Sequence, residues 1–143
     1  MRFARYDRAG DVRLAMVEGD DLIDILDAVD AAGGKYTEMA EKRVWFADMT
    51  SLIAAGPAAP NYLRTVANAN VARIALADIR LLAPLDPGII LCSGENYRDH
   101  REEKPQVPAE EPEFFIKIPT TGVVGPGDDI IWDKKVTQKL DYE

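Results

Sequence analysis

The alternation of hydrophobic and polar positions at the start of the chain predicts a β-meander. Apolar and polar residues alternate over 2–6 and again over 12–17, around a glycine-containing turn at 8–11. Alternation with a period of two is typical of half-buried strands, and a short turn between two such runs indicates an antiparallel hairpin. After a second turn at 19–21, the residues 22–25 are expected to form a third short strand.

The stretch that follows is predicted to be mainly helical. A first helix is expected over 26–32, where Gly33 and Gly34 end it. Short helices are expected over 37–43, over 52–55 and, from an amphipathic spacing, over 61–68. A single strand is then predicted over 74–85.

The prolines Pro84 and Pro87 end regular structure and mark a domain boundary. The fold class is therefore α+β. A small N-terminal α/β module occupies residues 1–84, and a second segment occupies residues 88–143. The N-terminal module contains no histidine, no cysteine and no glycine-rich phosphate loop, so it is expected to carry no chemistry of its own.

The second segment has its own series of elements. Ile89–Cys92 is an apolar run of the kind buried on both faces in a sheet. A turn then leads to a helix that begins at Tyr97 and that Asn96 can cap. Apolar residues 114–118 and 130–132 predict two further strands.

Composition narrows the class of protein. The 143 residues carry a net charge of −8, which disfavours nonspecific binding of nucleic acid. No apolar run approaches the ~20 residues of a membrane span, and the first residues lack the apolar core of a secretory signal. The single cysteine, Cys92, fits a reducing compartment, so a cytoplasmic location is expected.

Five aspartates in the N-terminal module, whose spacing fits no calcium loop, are expected to form a solvated acidic face: Asp20, Asp21, Asp24, Asp27 and Asp30.

The candidate chemistry lies in the second segment. His100 is the only histidine, and Glu103 follows three residues later on the same helix face. A carboxylate beside an imidazole fixes its tautomer and stabilises its protonated form, which suits a general base. The spacing alone equally fits a surface helix with a chance pair. Lys117, in an apolar strand, either points to solvent or reaches into a pocket.

Four motifs in this segment occur in a specific order. They are GENYRDHREE at Gly94–Glu103, PEFFIK at Pro112–Lys117, VGPGDDI at Val124–Ile130 and LDYE at Leu140–Glu143. Together they resemble the fumarylacetoacetate hydrolase family. The module before them resembles the N-terminal domain that longer bacterial members carry.

The resemblance implies a catalytic domain built as a mixed β-roll, of which this chain carries the first part, truncated at Glu143. It implies Mg²⁺ or Mn²⁺ held by carboxylates, with a 2-oxo or β-diketo acid chelated to the metal. By the same resemblance His100 is the general base and Glu103 orients it. Tyr97 and Lys117 are expected at the substrate, and Glu143 matches the first glutamate of a metal-binding E-x-E pair.

The activity implied is acylpyruvate-type C–C hydrolysis or keto–enol isomerisation through a metal-stabilised enolate. The alternatives are a lyase or decarboxylase of the ureidoglycolate or oxaloacetate type, or a non-catalytic assembly protein that keeps the fold. The family's second metal-binding glutamate does not occur in this chain, so the remaining C-terminal half, on the same or a separate polypeptide, is an expected partner. The complete protein is expected to be a homodimer. Glu95 is an acidic residue near the expected pocket, where its negative charge would be unfavourable for a dianionic substrate.

Overall fold

The computed structural model describes residues 1–33, 42–94, 97–102 and 112–138, with the side chains of residues 100, 101 and 121 left out of the description. The chain divides into two compact units. The first contains Met1–Leu85 together with Val124–Glu143, and the second contains Asp86–Val123. Helices and antiparallel strands occur side by side in an α+β fold, and the mixed β-roll stays a prediction.

An antiparallel sheet of five strands forms the frame of the first unit. The strands lie in the order β4-β3-β2-β1-β5. Phe3 on β1 faces Met16 on β2, and this pairing confirms the predicted hairpin. The five strands are β1 (Arg2–Arg8), β2 (Asp11–Glu18), β3 (Asp21–Asp24), β4 (Arg73–Ala75) and β5 (Arg80–Leu81).

The single strand predicted over 74–85 is wrong. β4 pairs with β3 at one edge of the sheet, whereas β5 pairs with β1 at the other edge. A 3₁₀ turn, Leu76–Asp78, lies between them. The apolar side chains of Leu76 and Ile79 pack against a small core around Tyr6. They cover one face of the sheet. Their apolar character makes the sequence from 74 to 85 resemble one long strand.

Three helices and a 3₁₀ turn contribute the main core. Aspartates cap the first two helices, because Asp24 accepts from the Asp27 N–H at 3.0 Å and Asp48 accepts from the Ser51 N–H at 2.7 Å. The third helix begins three residues before its predicted start, directly after Pro57, a residue that the first turn of a helix tolerates. The elements are α1 (Ile25–Ala31), a 3₁₀ turn (Val44–Phe46), α2 (Met49–Ala54) and α3 (Ala58–Val66).

The sheet and these helices enclose one hydrophobic cluster. Phe46 is one of its buried members, 1% exposed, and its ring stacks on Tyr62 with 6.0 Å between the centroids. Most of the helix predicted over 37–43 lies outside the described residues. The buried members of the cluster are Leu14, Met16, Ile23, Ile25, Ala28, Val29, Phe46, Met49, Leu52, Ala59, Leu63 and Val66.

The expectation of a solvated acidic face is wrong for Asp24. This aspartate is 1% exposed and accepts hydrogen bonds from the Tyr6 hydroxyl at 2.6 Å and the Arg13 Nε at 2.9 Å. The sheet register places Asp24 opposite Ala15 and Tyr6 opposite Arg13, so all four residues share one face of the sheet. Asp20 and Asp30 are exposed as expected.

The second unit has a two-stranded antiparallel sheet and two short helices. They are β6 (Ile90–Ser93), α4 (Arg98–Glu102), β7 (Phe114–Lys117) and α5 (Pro119–Gly122). The predicted strands over 89–92 and 114–118 are confirmed to within a residue at each end. The expectation that the first is buried on both faces is wrong, since Leu91 is 63% exposed.

The strand predicted over 130–132 is also wrong. Those residues have no regular secondary structure, and Ile131 is 92% exposed. An apolar run favours a strand only when a neighbouring strand offers its backbone groups, and none of the described residues does so here. Among the described residues, no helix is both long and apolar enough to cross a membrane.

Candidate active site in residues 86–123

The register of β6 and β7 positions the candidate site residues. Ile90 lies opposite Lys117, and Ser93 lies opposite Phe114. The N–H of Gly94 donates to the carbonyl of Glu113 at 2.8 Å, which extends the pairing by one step. A Cβ atom at Gly94 would lie 3.3 Å from the Cβ of Glu113, so a glycine suits this close approach. The chain leaves the sheet at this point and continues toward α4.

Helix α4 includes His100, the candidate base. His100 lies at the middle of this five-residue helix, and Tyr97 directly precedes it with 75% of its surface exposed. The Nε of Arg98 pairs with Oε1 of Glu102 at 2.9 Å, one helical turn apart. Glu103 lies outside the described residues, and the side chain of His100 is not described. The His100–Glu103 pair therefore stays a prediction on a helix that the structure confirms.

Lys117 lies on the more sheltered face of the two-stranded sheet. Its face includes Phe115, which is 40% exposed, whereas Ile116 on the opposite face is 63% exposed. The Nζ of Lys117 lies 5.8 Å from the Phe115 ring centroid, a cation–π distance. A Cβ at Gly122 would lie 3.7 Å from the Cβ of Lys117, so α5 packs beside the lysine stem. Lys117 is therefore half-buried, with its stem beside α5 and its ammonium near the Phe115 ring.

The register places Lys117 and the point where the chain leaves β6 at opposite ends of the two-stranded sheet. The chain departs for α4 from the Ser93 end, and Lys117 is paired at the Ile90 end. Three strand steps separate Phe114 from Lys117, or roughly 10 Å. Tyr97 and His100 are close because they lie in one short segment. Glu143 lies outside the described residues.

The described part of the chain does not by itself supply a metal site. No three histidine, cysteine, aspartate or glutamate side chains come together there in an arrangement that could hold a metal ion. A hard divalent ion needs about six oxygen ligands. The metal predicted from the resemblance therefore depends on Glu143 and on carboxylates that the described residues do not include.

An open depression of about 530 Å³ lies on the first unit instead. It is lined by residues 76–81 and by Pro126. None of the residues that the sequence predicts for catalysis, substrate or metal is among them. Ligand sites combine an enclosed apolar lining with a few convergent polar groups, and this open surface lacks that enclosure. We attach no chemistry to it.

Sequence reasoning missed a buried polar network in the first unit. The Asp24 carboxylate is held by Arg13, and a second carboxylate, Asp27, accepts from Arg8 at 2.7 Å and from Arg13 at 3.0 Å. Burial opposes ionisation of Asp24, but the hydrogen bonds from Arg13, Tyr6 and the Asp27 N–H outweigh it. The pKa of Asp24 is therefore held below its usual range.

The network links the first hairpin to α1. All buried side-chain nitrogen and oxygen atoms in the described residues have hydrogen-bond partners, so the buried atoms of the network are satisfied within the protein. The sequence signal that could have indicated it is the placement of two arginines, Arg8 and Arg13, on the hairpin that pairs with the strand of Asp24.

Comparisons with known proteins match parts of the chain. It is 33% identical over 81 residues to "Fumarylacetoacetate hydrolase domain-containing protein 2 homolog" of Dictyostelium discoideum, which is 57% of this chain and 26% of that protein. It is 41% identical over 73 residues to oxaloacetate tautomerase YisK of Bacillus subtilis, 48% of this chain and 24% of the relative. It is 29% identical over 96 residues to a mitochondrial oxaloacetate tautomerase of Homo sapiens, 66% of this chain and 30% of the relative.

These matches span only 24–30% of the length of each relative. No family model matches the chain.

Proposed function

We propose that this chain, which is part of a fumarylacetoacetate hydrolase family protein, contributes to an enzyme that interconverts the keto and enol forms of a 2-oxo acid. The observation that carries the proposal is the match to proteins named oxaloacetate tautomerase in both a bacterium and an animal. The helix Arg98–Glu102 supports it, because it contains His100, the only histidine of the chain, a few residues after the strand Ile90–Ser93.

The reaction requires a base with a pKa near neutrality. A proton leaves the carbon next to the keto group, and the electron pair of the broken C–H bond forms a carbon–carbon double bond. The keto oxygen takes up a proton. Histidine titrates closest to neutral pH among the side chains, so His100 suits the role of the group that removes and returns the proton. Glu103 orients the imidazole and stabilises its charged form.

A 2-oxo acid as the substrate class requires a local cation. Such a substrate carries at least one carboxylate, and the chain as a whole is strongly acidic, with a net charge of −8. A local cation is therefore needed to hold it. Lys117 is half-buried on the more sheltered face of β7, and its ammonium lies 5.8 Å from the Phe115 ring centroid. A cation in such surroundings binds an anion more strongly than a fully hydrated one does. Tyr97 adds an exposed hydroxyl close to α4.

A divalent ion, Mg²⁺ or Mn²⁺, is proposed as the cofactor. When bound, it polarises the keto group of a chelated 2-oxo acid and so makes the neighbouring carbon more acidic. Glu143 is its proposed ligand from this chain. The other ligands, and the polypeptide that completes the catalytic domain, are proposed to come from further sequence on the same or a separate chain. The proposed complete protein is a homodimer.

The test is an assay on the complete protein with oxaloacetate. Enol oxaloacetate absorbs in the near ultraviolet, so its enzyme-dependent loss without formation of pyruvate would identify a tautomerase. Pyruvate with release of CO₂ would show a decarboxylase instead. No change in either signal, with metal present, would contradict the proposed substrate.

C–C hydrolysis is the second candidate. The match to a protein named for a fumarylacetoacetate hydrolase domain favours it. It begins with the same polarised keto acid but adds water to a second carbonyl, so it requires a β-diketo acid. An acylpyruvate offered to the same protein separates the two reactions, because only hydrolysis releases a second carboxylic acid.

A further inference from the structure

The side chain of Lys117 is bordered by neighbours from three directions within the second unit. Phe115 and Lys117 lie two residues apart on β7, so their side chains stand on the same face of the sheet. Across the sheet, Ile90 of β6 lies opposite Lys117. A Cβ atom at Gly122 would lie 3.7 Å from both the Cβ of Lys117 and the Cδ1 of Ile90, so α5 borders the base of the lysine stem.

The ring of Phe115 is the neighbour of the charged end. The Nζ of Lys117 lies 5.8 Å from the ring centroid, within the ~6 Å over which the face of an aromatic ring attracts a cation. Phe115 is 40% exposed and Lys117 is half-buried, so water reaches this pair only in part. Cys92, which lies opposite Phe115 on β6, is half-buried as well. The ring therefore restrains an ammonium whose stem is already bordered at its base.

This contact also bears on the end of the sheet at which the ammonium is held. The chain leaves β6 for α4 after Ser93, whereas Lys117 is paired at the Ile90 end. Phe115 lies two residues closer than Lys117 to the Ser93 end, which is about 6.6 Å along the strand. An ammonium that stays at the Phe115 ring is thereby kept from turning away from the end where α4 follows.

We propose that Phe115 is a positioning residue that acts through Lys117, because its ring holds the ammonium in place to receive a carboxylate of the substrate. The inference rests on the proposed function, in which Lys117 binds a 2-oxo acid. A lysine side chain has several rotatable bonds, and the freedom that it loses on binding weakens the interaction. A side chain that is already held by the ring has less freedom to lose, so it binds the anion more tightly.

The expected effect is modest, and the chain offers a matched control. A cation–π contact at a partly exposed site corresponds to roughly a two- to fivefold change in an equilibrium. Phe115→Leu removes the ring but keeps an apolar side chain, and Phe115→Tyr keeps the aromatic face. Phe114→Leu is the control, because Phe114 is the adjacent phenylalanine, lies on the opposite face of β7 and is 63% exposed.

Competitive acetylation of the 143-residue chain, measured by mass spectrometry, tests the contact without any metal or substrate. Phe115→Leu should speed acetylation of Lys117 by roughly two- to fivefold, because the amine leaves its held position more often. Lys134, whose Nζ lies 5.1 Å from the Trp132 ring centroid in the first unit, is the internal reference and should react at an unchanged rate. Equal rates at Lys117 in Phe115→Leu and Phe114→Leu would overturn the proposal.

Steady-state kinetics of the complete protein with oxaloacetate tests the positioning role. Phe115→Leu should raise KM by roughly two- to fivefold and leave kcat unchanged, because the ammonium binds the substrate and takes no part in proton removal. Phe115→Tyr should restore the KM, and Phe114→Leu should leave it unaltered. An unchanged KM in Phe115→Leu, or a fall in kcat alone, would overturn the proposal.

The two experiments together separate this inference from the proposed function. No turnover of oxaloacetate even by the wild-type protein would overturn the proposed function, and with it the substrate role of Lys117. Normal turnover by the wild type, with equal acetylation of Lys117 in both leucine variants, would overturn the role of Phe115 alone.

Discussion

The hydroxyl of Tyr6 donates a hydrogen bond to the buried carboxylate of Asp24 over 2.6 Å. Tyr6 is 1% exposed, and burial together with this hydrogen bond raises the pKa of its hydroxyl well above the usual value. Because Arg13 binds the same carboxylate through two nitrogens, the charge of Asp24 is compensated inside the sheet. This arrangement makes the stability of the first unit sensitive to the ionisation of one aspartate.

We expect the unfolding free energy to fall when the pH is lowered below about 4. The pKa of Asp24 is depressed in the folded state, so its contribution is fully present above the pKa of the unfolded chain. It is lost as the pH falls through the folded-state pKa. Asp24→Asn should cost about 3 kcal/mol at neutral pH, because Arg13 loses its buried two-nitrogen partner and keeps only the more exposed Asp27. The same variant should lose less stability than the wild type as the pH is lowered.

Urea denaturation of each variant from pH 2 to pH 7 measures this dependence. Tyr6→Phe, which removes one of several hydrogen bonds to the carboxylate, should cost about 1–2 kcal/mol. Asp20→Asn alters an exposed carboxylate and is the control that should change little. If the unfolding free energy of Asp24→Asn falls at low pH as steeply as that of the wild type, the pH dependence does not come from Asp24.

For the proposed base, we expect His100→Ala to reduce turnover of the complete protein by ~10²-fold or more, because proton removal loses its acceptor. Glu103→Gln should lower kcat less than this, since the imidazole remains but its charged form is no longer stabilised. Steady-state kinetics with oxaloacetate provides the measurement, and circular dichroism confirms that each variant is folded. Activity of His100→Ala within a few fold of wild type would show that another group moves the proton.

For the metal, we expect the 143-residue chain alone to bind Mg²⁺ or Mn²⁺ only weakly. The chain offers one proposed ligand, Glu143, while a hard divalent ion normally takes six oxygens. Calorimetric titration of the monomeric chain should show no stoichiometric binding in the micromolar range. In the complete protein, the wild type is expected to bind Mn²⁺ tightly, and Glu143→Ala should abolish this binding. Tight Mn²⁺ binding by the isolated chain would mean that the metal site has been placed wrongly.

The exposed face of the β6–β7 sheet should make the isolated chain self-associate. Leu91 and Ile116 pair across this face, and each is 63% exposed. Unpaired strand edges beside exposed apolar residues favour association. Leu91→Thr combined with Ile116→Thr should shift the chain toward monomer in sedimentation velocity at increasing concentration.

The control for this experiment is Val12→Thr on β2, which replaces an apolar residue that is 56% exposed on the first unit. It should leave association unchanged. If Val12→Thr reduces association as much as the double variant does, general surface hydrophobicity is responsible rather than the β6–β7 sheet.

The sequence by itself determined the elements that depend on nearby residues, such as turns, helix caps and alternating strands. The hairpin of β1 and β2 follows from alternation around a turn in which Gly10 adopts a φ of 97° and donates to Asp7 at 2.7 Å. The helix after β3 follows from the capping aspartate and from Gly33, which adopts a φ of 109° at its end. The four ordered motifs pointed to the family that the relatives confirm.

Only the tertiary structure decided the features that depend on contacts between distant residues. The apolar pattern of 74–85 could not reveal that β4 and β5 belong to opposite edges of the sheet, because each pairs with a strand fifty or more residues earlier. The burial of Asp24 depends on cross-strand neighbours, and the ion pair between Arg80 and Asp128 joins residues that are distant in sequence. Periodicity reports which side chains are apolar, whereas the partner that covers or binds each of them is fixed only when the chain is folded.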